Sequence, residues 1–320
     1  MRMILSFEKK MRTVAVLAGL ALLVAACGDT AATDERLRIV TSTSVLGDIV
    51  SEIVGDDATV EVVMGPAVDP HDFEVSARQA EGIATADLVV AFGLGLEESL
   101  LDVIESQAPE SLLLGPELDP IPFSGPDPHD DDHADEDDHS DEDHASDALD
   151  PHVWLDPVRM ADAVRLIADR IGALDGSIDL QARADAYVDR LEQLDEEITQ
   201  TLGPLTDRKL VTSHDALGYF AQRYDFEVVG VIVTGGSTLA EPSAADLAAL
   251  VDAIEDSGVR AIFTDTYNPT TLAEAVASEV EGDVAVVPLI TGSLTDEAES
   301  YIDMMRVNTQ RIAEALGGAG

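Results

Sequence analysis

Cysteine is all but missing from this chain, with Cys27 standing alone in 320 residues. A disulfide framework and a cysteine-rich zinc site are therefore excluded. Lysine is nearly as scarce, restricted to Lys9, Lys10 and Lys209, and Lys and Arg together number 18 against 64 Asp and Glu. The resulting formal charge of −46 excludes nucleic acid as a partner, because phosphate binding needs basic side chains to displace counterions. Aromatic residues make up only 4%, so the core must rest on Ala, Val, Leu and Ile. What is present is a 46% hydrophobic fraction, enough for a real core, on a length that suggests roughly two domains.

The first segment reads as an address. Arg2, Lys9, Lys10 and Arg12 form a basic region, followed by the apolar run Val14–Ala26. That is the pattern of a signal peptide over residues 1–26, and the run is short for a membrane-spanning helix. It ends Leu23-Val24-Ala25-Ala26-Cys27-Gly28, which resembles a bacterial lipobox. Cys27 is then expected to be the lipidated first residue of the mature chain, with plain secretion or an uncleaved membrane helix as the alternatives. Residues 27–36 read as a tether.

Beyond it the chain alternates between strand and helix patterns. Strands are expected at 37–41, 59–64, 88–92 and 112–114, and helices at 44–54, 73–84 and 97–106. After helical signal at 157–173 and a long helix at 180–202, ended by Gly203-Pro204, the alternation resumes. Strands are expected at 209–212, 227–231, 261–264 and 284–288, and helices at 216–224, 244–257, 270–280 and 298–316. This predicts an α/β fold of two similar lobes with mostly parallel sheets. The expected bounds are 37–176 for the first lobe, 177–203 for a long rigid linking helix and 204–320 for the second lobe. Residues 127–147 break the rhythm. Twelve of these 21 residues are acidic, four are His and none is basic, so the segment is expected to be a disordered loop in the first lobe.

The seven His divide into two groups. His129, His133, His139 and His144 lie in the acidic loop, where imidazoles among carboxylates can collect divalent cations weakly or serve only as solvated charge. His71, His152 and His214 each follow an expected strand-to-loop transition. In open α/β sheets ligands bind outside the carboxyl ends of strands, where these three fall. His71 and His152 both sit in Asp-Pro-His with an aromatic residue two positions on, Phe73 and Trp154. Pro fixes the backbone just before the ligand candidate, and a nearby carboxylate can hold the second ring nitrogen. Three neutral imidazoles converging between two lobes would suit Zn²⁺. The tripeptide alone is weak evidence, since Asp127-Pro128-His129 repeats it inside the acidic loop.

Longer segments carry a family resemblance. Asp69–Glu74, Asp150–Pro157, Thr212–Phe220, Ile262–Asp265 and Tyr301–Asn308 resemble the metal-binding solute-binding proteins of ABC transporters, particularly the zinc-uptake (ZnuA-like) group. The likeness runs over most of residues 37–316. It implies that His71, His152 and His214 are metal ligands between two lobes joined by a rigid helix. It also implies Zn(II) as the transported ligand, captured outside the cytoplasm by a lipid-anchored monomer and delivered to an ABC permease. Manganese-type members carry Glu where His214 stands, and His suits Zn²⁺ better than the oxygen-rich sphere Mn²⁺ prefers. One departure is Gly292, which stands where the family often supplies a fourth ligand, an Asp. Asp265, Asp296 or a water are the candidates to replace it, with Asp265 first.

Alternatives follow from the same residues. Within the class, manganese or iron is the other cargo. Outside it, a zinc hydrolase would need a general base near the metal, and no His-Glu-x-x-His motif exists to supply one. An adhesin would need an extra exposed apolar or repeat region, and none is evident. The expected activity is binding for transport, not catalysis.

Overall fold

Short runs rich in Val, Ile and Leu form eight strands among the described residues, and each strand run is followed by an amphipathic one. In the first sheet β1 (Leu37–Thr43), β2 (Ala58–Met64), β3 (Leu88–Ala91) and β4 (Ser111–Leu113) lie in the order β2-β1-β3-β4. In the second, β5 (Lys209–His214), β6 (Glu227–Val233), β7 (Ala261–Asp265) and β8 (Ala285–Leu289) repeat that order as β6-β5-β7-β8. Every neighbouring pair is parallel. The computed structural model describes residues 36–124, 148–235, 238, 241–267 and 269–317. The expected signal peptide, Cys27, nearly all of the tether and the acidic stretch 127–147 with its four His lie outside the described residues.

Helices cover both sheets. They are α1 (Ser44–Val54), α2 (Ala77–Ala84), α3 (Glu98–Gln107), α4 (Pro157–Leu174), α5 (Gln181–Leu202), α6 (Gly218–Tyr224), α7 (Ala244–Ser257), α8 (Thr271–Glu279) and α9 (Tyr301–Gly317). The alternation expected from sequence is therefore present, and the sheets are wholly rather than mostly parallel. Two helix starts differ for local reasons. The helix expected from Phe73 begins only at Ala77, because Ser76 and Gln79 form a reciprocal capping box there. The last helix begins at Tyr301 rather than 298, where Asp48 of α1 accepts the Tyr301 N–H at 2.9 Å. Pro288 is tolerated inside β8 because β8 is an edge strand.

One apolar cluster runs through the inner faces of both sheets. It joins Ile39, Leu88 and Val90 of the first to Leu210, Ala261 and Phe263 of the second, through residues of α1, α4, α5, α6 and α9. Two smaller clusters cover the outer faces, one under α2 and α3, the other under α7 and α8. Helix α5 buries Ala184, Tyr187, Val188, Leu191, Leu194, Ile198 and Leu202 at three- and four-residue spacing. Its 22 residues span roughly 33 Å and pack against α4, α1 and α9, so it braces both halves at once. A shared core and a common spine make large separation of the two sheets costly, since opening would expose buried apolar surface.

In each sheet the chain leaves its central strand in opposite directions, β1 to β2 and then β3, β5 to β6 and then β7. The crevice outside the carboxyl ends of those strands is the usual ligand position in such sheets. His214 ends β5, and Asp265 ends β7. No helix among the described residues is long and apolar enough to cross a membrane.

Candidate metal centre

His71, His152 and His214 come from three separated segments and meet. Among the described residues they form the one His/Cys/Asp/Glu group with metal-holding geometry, their nearest ring nitrogens all within 4.8 Å of one another. The Nε2 atoms of His71 and His152 are 3.2 Å apart, and those of His214 and His152 are 3.4 Å apart. His152 and His214 are buried, while His71 is partly exposed at the mouth.

Each ring is aimed by local structure. In the loop after β2, Asp69 Oδ1 accepts the backbone N–H of His71 at 3.0 Å. The second Asp-Pro-His repeats the turn, with Asp150 Oδ1 accepting the His152 N–H at 2.9 Å. The same Oδ1 also lies 2.7 Å from His152 Nδ1. An oxygen already accepting an N–H is the acceptor here too, so Nδ1 carries the proton and Nε2 presents its lone pair. His214 Nδ1 is held in the same way by Asp265 Oδ2 at 2.7 Å, an oxygen that also accepts from Ser213 Oγ at 3.1 Å. Two imidazoles so fixed turn lone pairs toward each other across 3.4 Å, an arrangement that calls for a cation between them. The donor set therefore fits a metal ion that accepts nitrogen ligands.

Electrostatics follow from burial. Burial first, then repulsion from the neighbouring imidazoles, pushes His71 well below the ordinary imidazole range. Burial likewise pushes His152 down and Asp150 up, so this pair resists charging. His214 moves the other way. Burial opposes its proton, but the Asp265 charge and hydrogen bond outweigh that and raise it. Asp265 in turn falls to about 2: burial works against ionisation, and His214 with the Thr291 and Ser213 hydroxyls overcomes it.

The structure does not bring Asp265 among the three ring nitrogens. Its carboxylate lies behind His214, not among the three Nε2 atoms, and both oxygens are already bonded, Oδ2 to His214 and Ser213, Oδ1 to Thr291. Asp296 is exposed and also stands outside the cluster. Gly292 does reach the site. A Cβ there would sit 2.6 Å from the Tyr267 hydroxyl and 3.0 Å from Pro70 Cδ, so the space a side chain would need is already occupied.

The seam between the sheets is hydrogen-bonded near the His cluster. Ala67 N–H donates to Leu294 O at 2.9 Å, Leu294 N–H to Ser44 Oγ at 2.9 Å, and Thr238 Oγ1 to Asp69 Oδ2 at 2.8 Å. Trp154 is fully buried beside His152, and its Nε1 donates to Thr291 O at 2.5 Å. The sequence reading missed Thr291 and Thr238, whose roles arise only from tertiary contact. His214, already a candidate ligand from sequence, carries one further signal. The central strands end in Val40-Thr41-Ser42-Thr43-Ser44 and Val211-Thr212-Ser213-His214-Asp215, an internal repeat that aligns His214 with Thr43.

Known proteins resemble this chain in sequence and in fold. The family profile described as zinc-uptake complex component A, periplasmic (ZnuA), matches residues 39–315. The chain is similar to the manganese-binding lipoprotein MntA of Halalkalibacterium halodurans, 29% identical over 311 residues that cover 93% of this chain and 95% of that one. It is also similar to the zinc-binding protein TroA of Treponema pallidum, 31% identical over 293 residues, covering 89% and 91%. The solved structure of the periplasmic zinc-binding protein TroA from Treponema pallidum superposes with a TM-score of 0.74 at 28% identity, over 88% of this chain and 99% of that one. With a match over nearly its whole described length, the chain belongs to the ZnuA family, whose members are metal-binding solute-binding proteins of ABC transporters and not enzymes.

Proposed function

We propose that this protein captures Zn(II) with His71, His152 and His214 and delivers it to an ABC permease for uptake. The observation that carries the reading is the donor set itself, three imidazoles with two tautomers fixed by carboxylates and no carboxylate oxygen among the ligand atoms. Two nitrogens bound to a tetrahedral zinc at 2.0–2.1 Å stand about 3.3–3.4 Å apart. The observed Nε2 separations of 3.2 and 3.4 Å match that span. Mn²⁺ prefers oxygen-rich, octahedral surroundings, and the crowded Gly292 offers no oxygen ligand. A water or a solute anion completes the sphere. Cys27 anchors the mature chain to lipid outside the cytoplasm, residues 37–176 and 204–320 act as the two lobes with 177–203 linking them, and the acidic stretch 127–147 gathers cations weakly. The acidic surface raises the local concentration of divalent ions.

Manganese is the second reading, favoured by the likeness to MntA. Calorimetric titration of the chain from Gly28, lacking residues 127–147, with zinc and manganese separates the two. One tight zinc site that manganese cannot displace, and that His214→Ala removes, supports the proposal. A preference for manganese, or no tight site, overturns it.

A further inference from the structure

The proposed ligands reach the centre from three segments, yet one dipeptide outside them touches the support of all three. Thr291 is buried where the chain leaves β8, and its backbone is held from α9: Asn308 Oδ1 accepts the Ile290 N–H at 2.8 Å, and Asn308 Nδ2 donates to Ile290 O at 2.8 Å. From that fixed point Thr291 Oγ1 donates to Asp265 Oδ1, whose other oxygen holds His214 Nδ1. The Thr291 carbonyl accepts Trp154 Nε1, and that indole meets the His152 ring edge-on with centroids 5.2 Å apart. The next residue, Gly292, leaves room for Pro70, the neighbour of His71. A second hydroxyl, Tyr267 Oη, lies 3.1 Å from Thr291 Oγ1 and can donate to it.

We propose that Thr291 is the positioning residue of this centre, its hydroxyl orienting Asp265 so that His214 keeps its proton on Nδ1 and turns the Nε2 lone pair inward. The inference rests on the zinc-binding reading only for its consequence. Its cause lies in the metal-free chain. A carboxylate held at one oxygen by Thr291 and at the other by Ser213 and His214 has little freedom to rotate. Without the Thr291 hydroxyl, Asp265 Oδ1 is a buried acceptor lacking its partner and can swing away from His214. Loss of such an outer-partner bond costs metal sites about 10–100-fold in affinity.

The test uses Thr291→Val, which keeps the shape and removes the hydroxyl, beside Thr291→Ser, which keeps the hydroxyl. In the metal-free protein, ¹⁵N–¹H spectra of the imidazoles should show His214 as the Nδ1–H form in the wild type and in Thr291→Ser, and a mixture of tautomers in Thr291→Val. Zinc titration should show a 10–100-fold weaker site in Thr291→Val, restored in Thr291→Ser. An unchanged tautomer together with unchanged affinity overturns the inference. If Thr291→Val does not fold, Thr291→Ala is read by the same two measurements. A wild type with no tight zinc site would sink the functional reading instead, and the metal-free spectra would still decide the role of Thr291.

Discussion

Residues 69–71 and 150–152 are the same tripeptide put to different ends. In both copies the Asp Oδ1 accepts the backbone N–H of the His two residues on, at 3.0 Å in the first and 2.9 Å in the second. Around residue 150 that oxygen also takes the ring Nδ1 of His152, and Tyr219 Oη locks the turn by donating to Asp150 O at 2.7 Å. Around residue 69 the carboxylate faces away from its own imidazole. Its Oδ2 accepts Thr238 Oγ1 from the other lobe, and His71 Nδ1 is buried with no hydrogen-bond partner among the described residues. The motif thus dictates the backbone turn, while the tertiary partner decides whether the ring is fixed. In the proposed centre His152 is the rigid ligand, set in the floor, and His71 the adjustable one, on a loop that spans the seam. The proposed centre is therefore expected to take up and release its metal on the His71 side.

The largest test of this contrast removes the rings. His152→Ala should abolish tight zinc binding, a loss well beyond the 10–100-fold attributed to an outer partner, because the site loses the ligand between the other two. His71→Ala should cost less, since the two fixed imidazoles still face each other across 3.4 Å. Competition titration against a chelator of known affinity ranks the two, and equal losses would break the contrast.

Removing the carboxylates sharpens it. Asp150→Asn keeps the turn, since an amide oxygen still accepts the N–H, but removes the carboxylate that a bound cation would ionise behind His152. Zinc affinity should fall 10–100-fold. Asp69→Asn leaves the His71 ring as it was and should cost less than tenfold. A larger effect at residue 69 than at residue 150 would mean that the seam contact, not the ring clamp, governs affinity.

Protonation extends the contrast to His214. Asp265 raises the proton affinity of the His214 ring above the ordinary imidazole range, so zinc competes with a second proton on that ring as the pH falls. A raised value makes the protonated form the competitor at higher pH than usual. Affinity should therefore fall about tenfold per pH unit once the pH drops below the His214 value. Asp265→Asn removes the charge that raises it, so the fall should begin at lower pH. Affinity profiles of the two proteins that begin to fall at the same pH would show that Asp265 does not set the proton.

Much of this was legible before any coordinates. Short apolar runs place all eight strands and a period of 3.6 the helices, because buried parallel strands such as Leu88–Ala91 are continuous apolar runs and the helices between them carry one apolar stripe. The three His were separable from the four in the acidic stretch because they stand outside that charged run; of the three only His214 ends a strand, while His71 lies in the loop after β2 and His152 opens a short turn before α4. Asp265 was visible as a strand-end carboxylate, but not its orientation, since only the packing of Thr291 and Ser213 against it turns both oxygens away from the ligand atoms. Thr291 and Thr238 carry no local signature. Each matters through one hydroxyl that meets a partner 26 or 169 residues away, and periodicity cannot encode such pairs.

The smallest expected effect tests the adjustable side directly. Thr238 Oγ1 donates to Asp69 Oδ2 across the seam, in a partly buried position, and Asp69 Oδ1 holds the backbone of His71. One such bond contributes about 1 kcal/mol net, which corresponds to roughly fivefold in an equilibrium. Thr238→Ala leaves every ligand and both ring clamps in place, so it should loosen only the loop that carries His71. If that loop is the exit, the change should fall on zinc dissociation, faster by about fivefold, with association and the metal-free melting temperature nearly unchanged. Stopped-flow release into excess chelator reads the rate. An unaltered dissociation rate in Thr238→Ala, beside a faster one in Asp150→Asn, would place the exit on the His152 side and reverse the assignment of rigid and adjustable ligands.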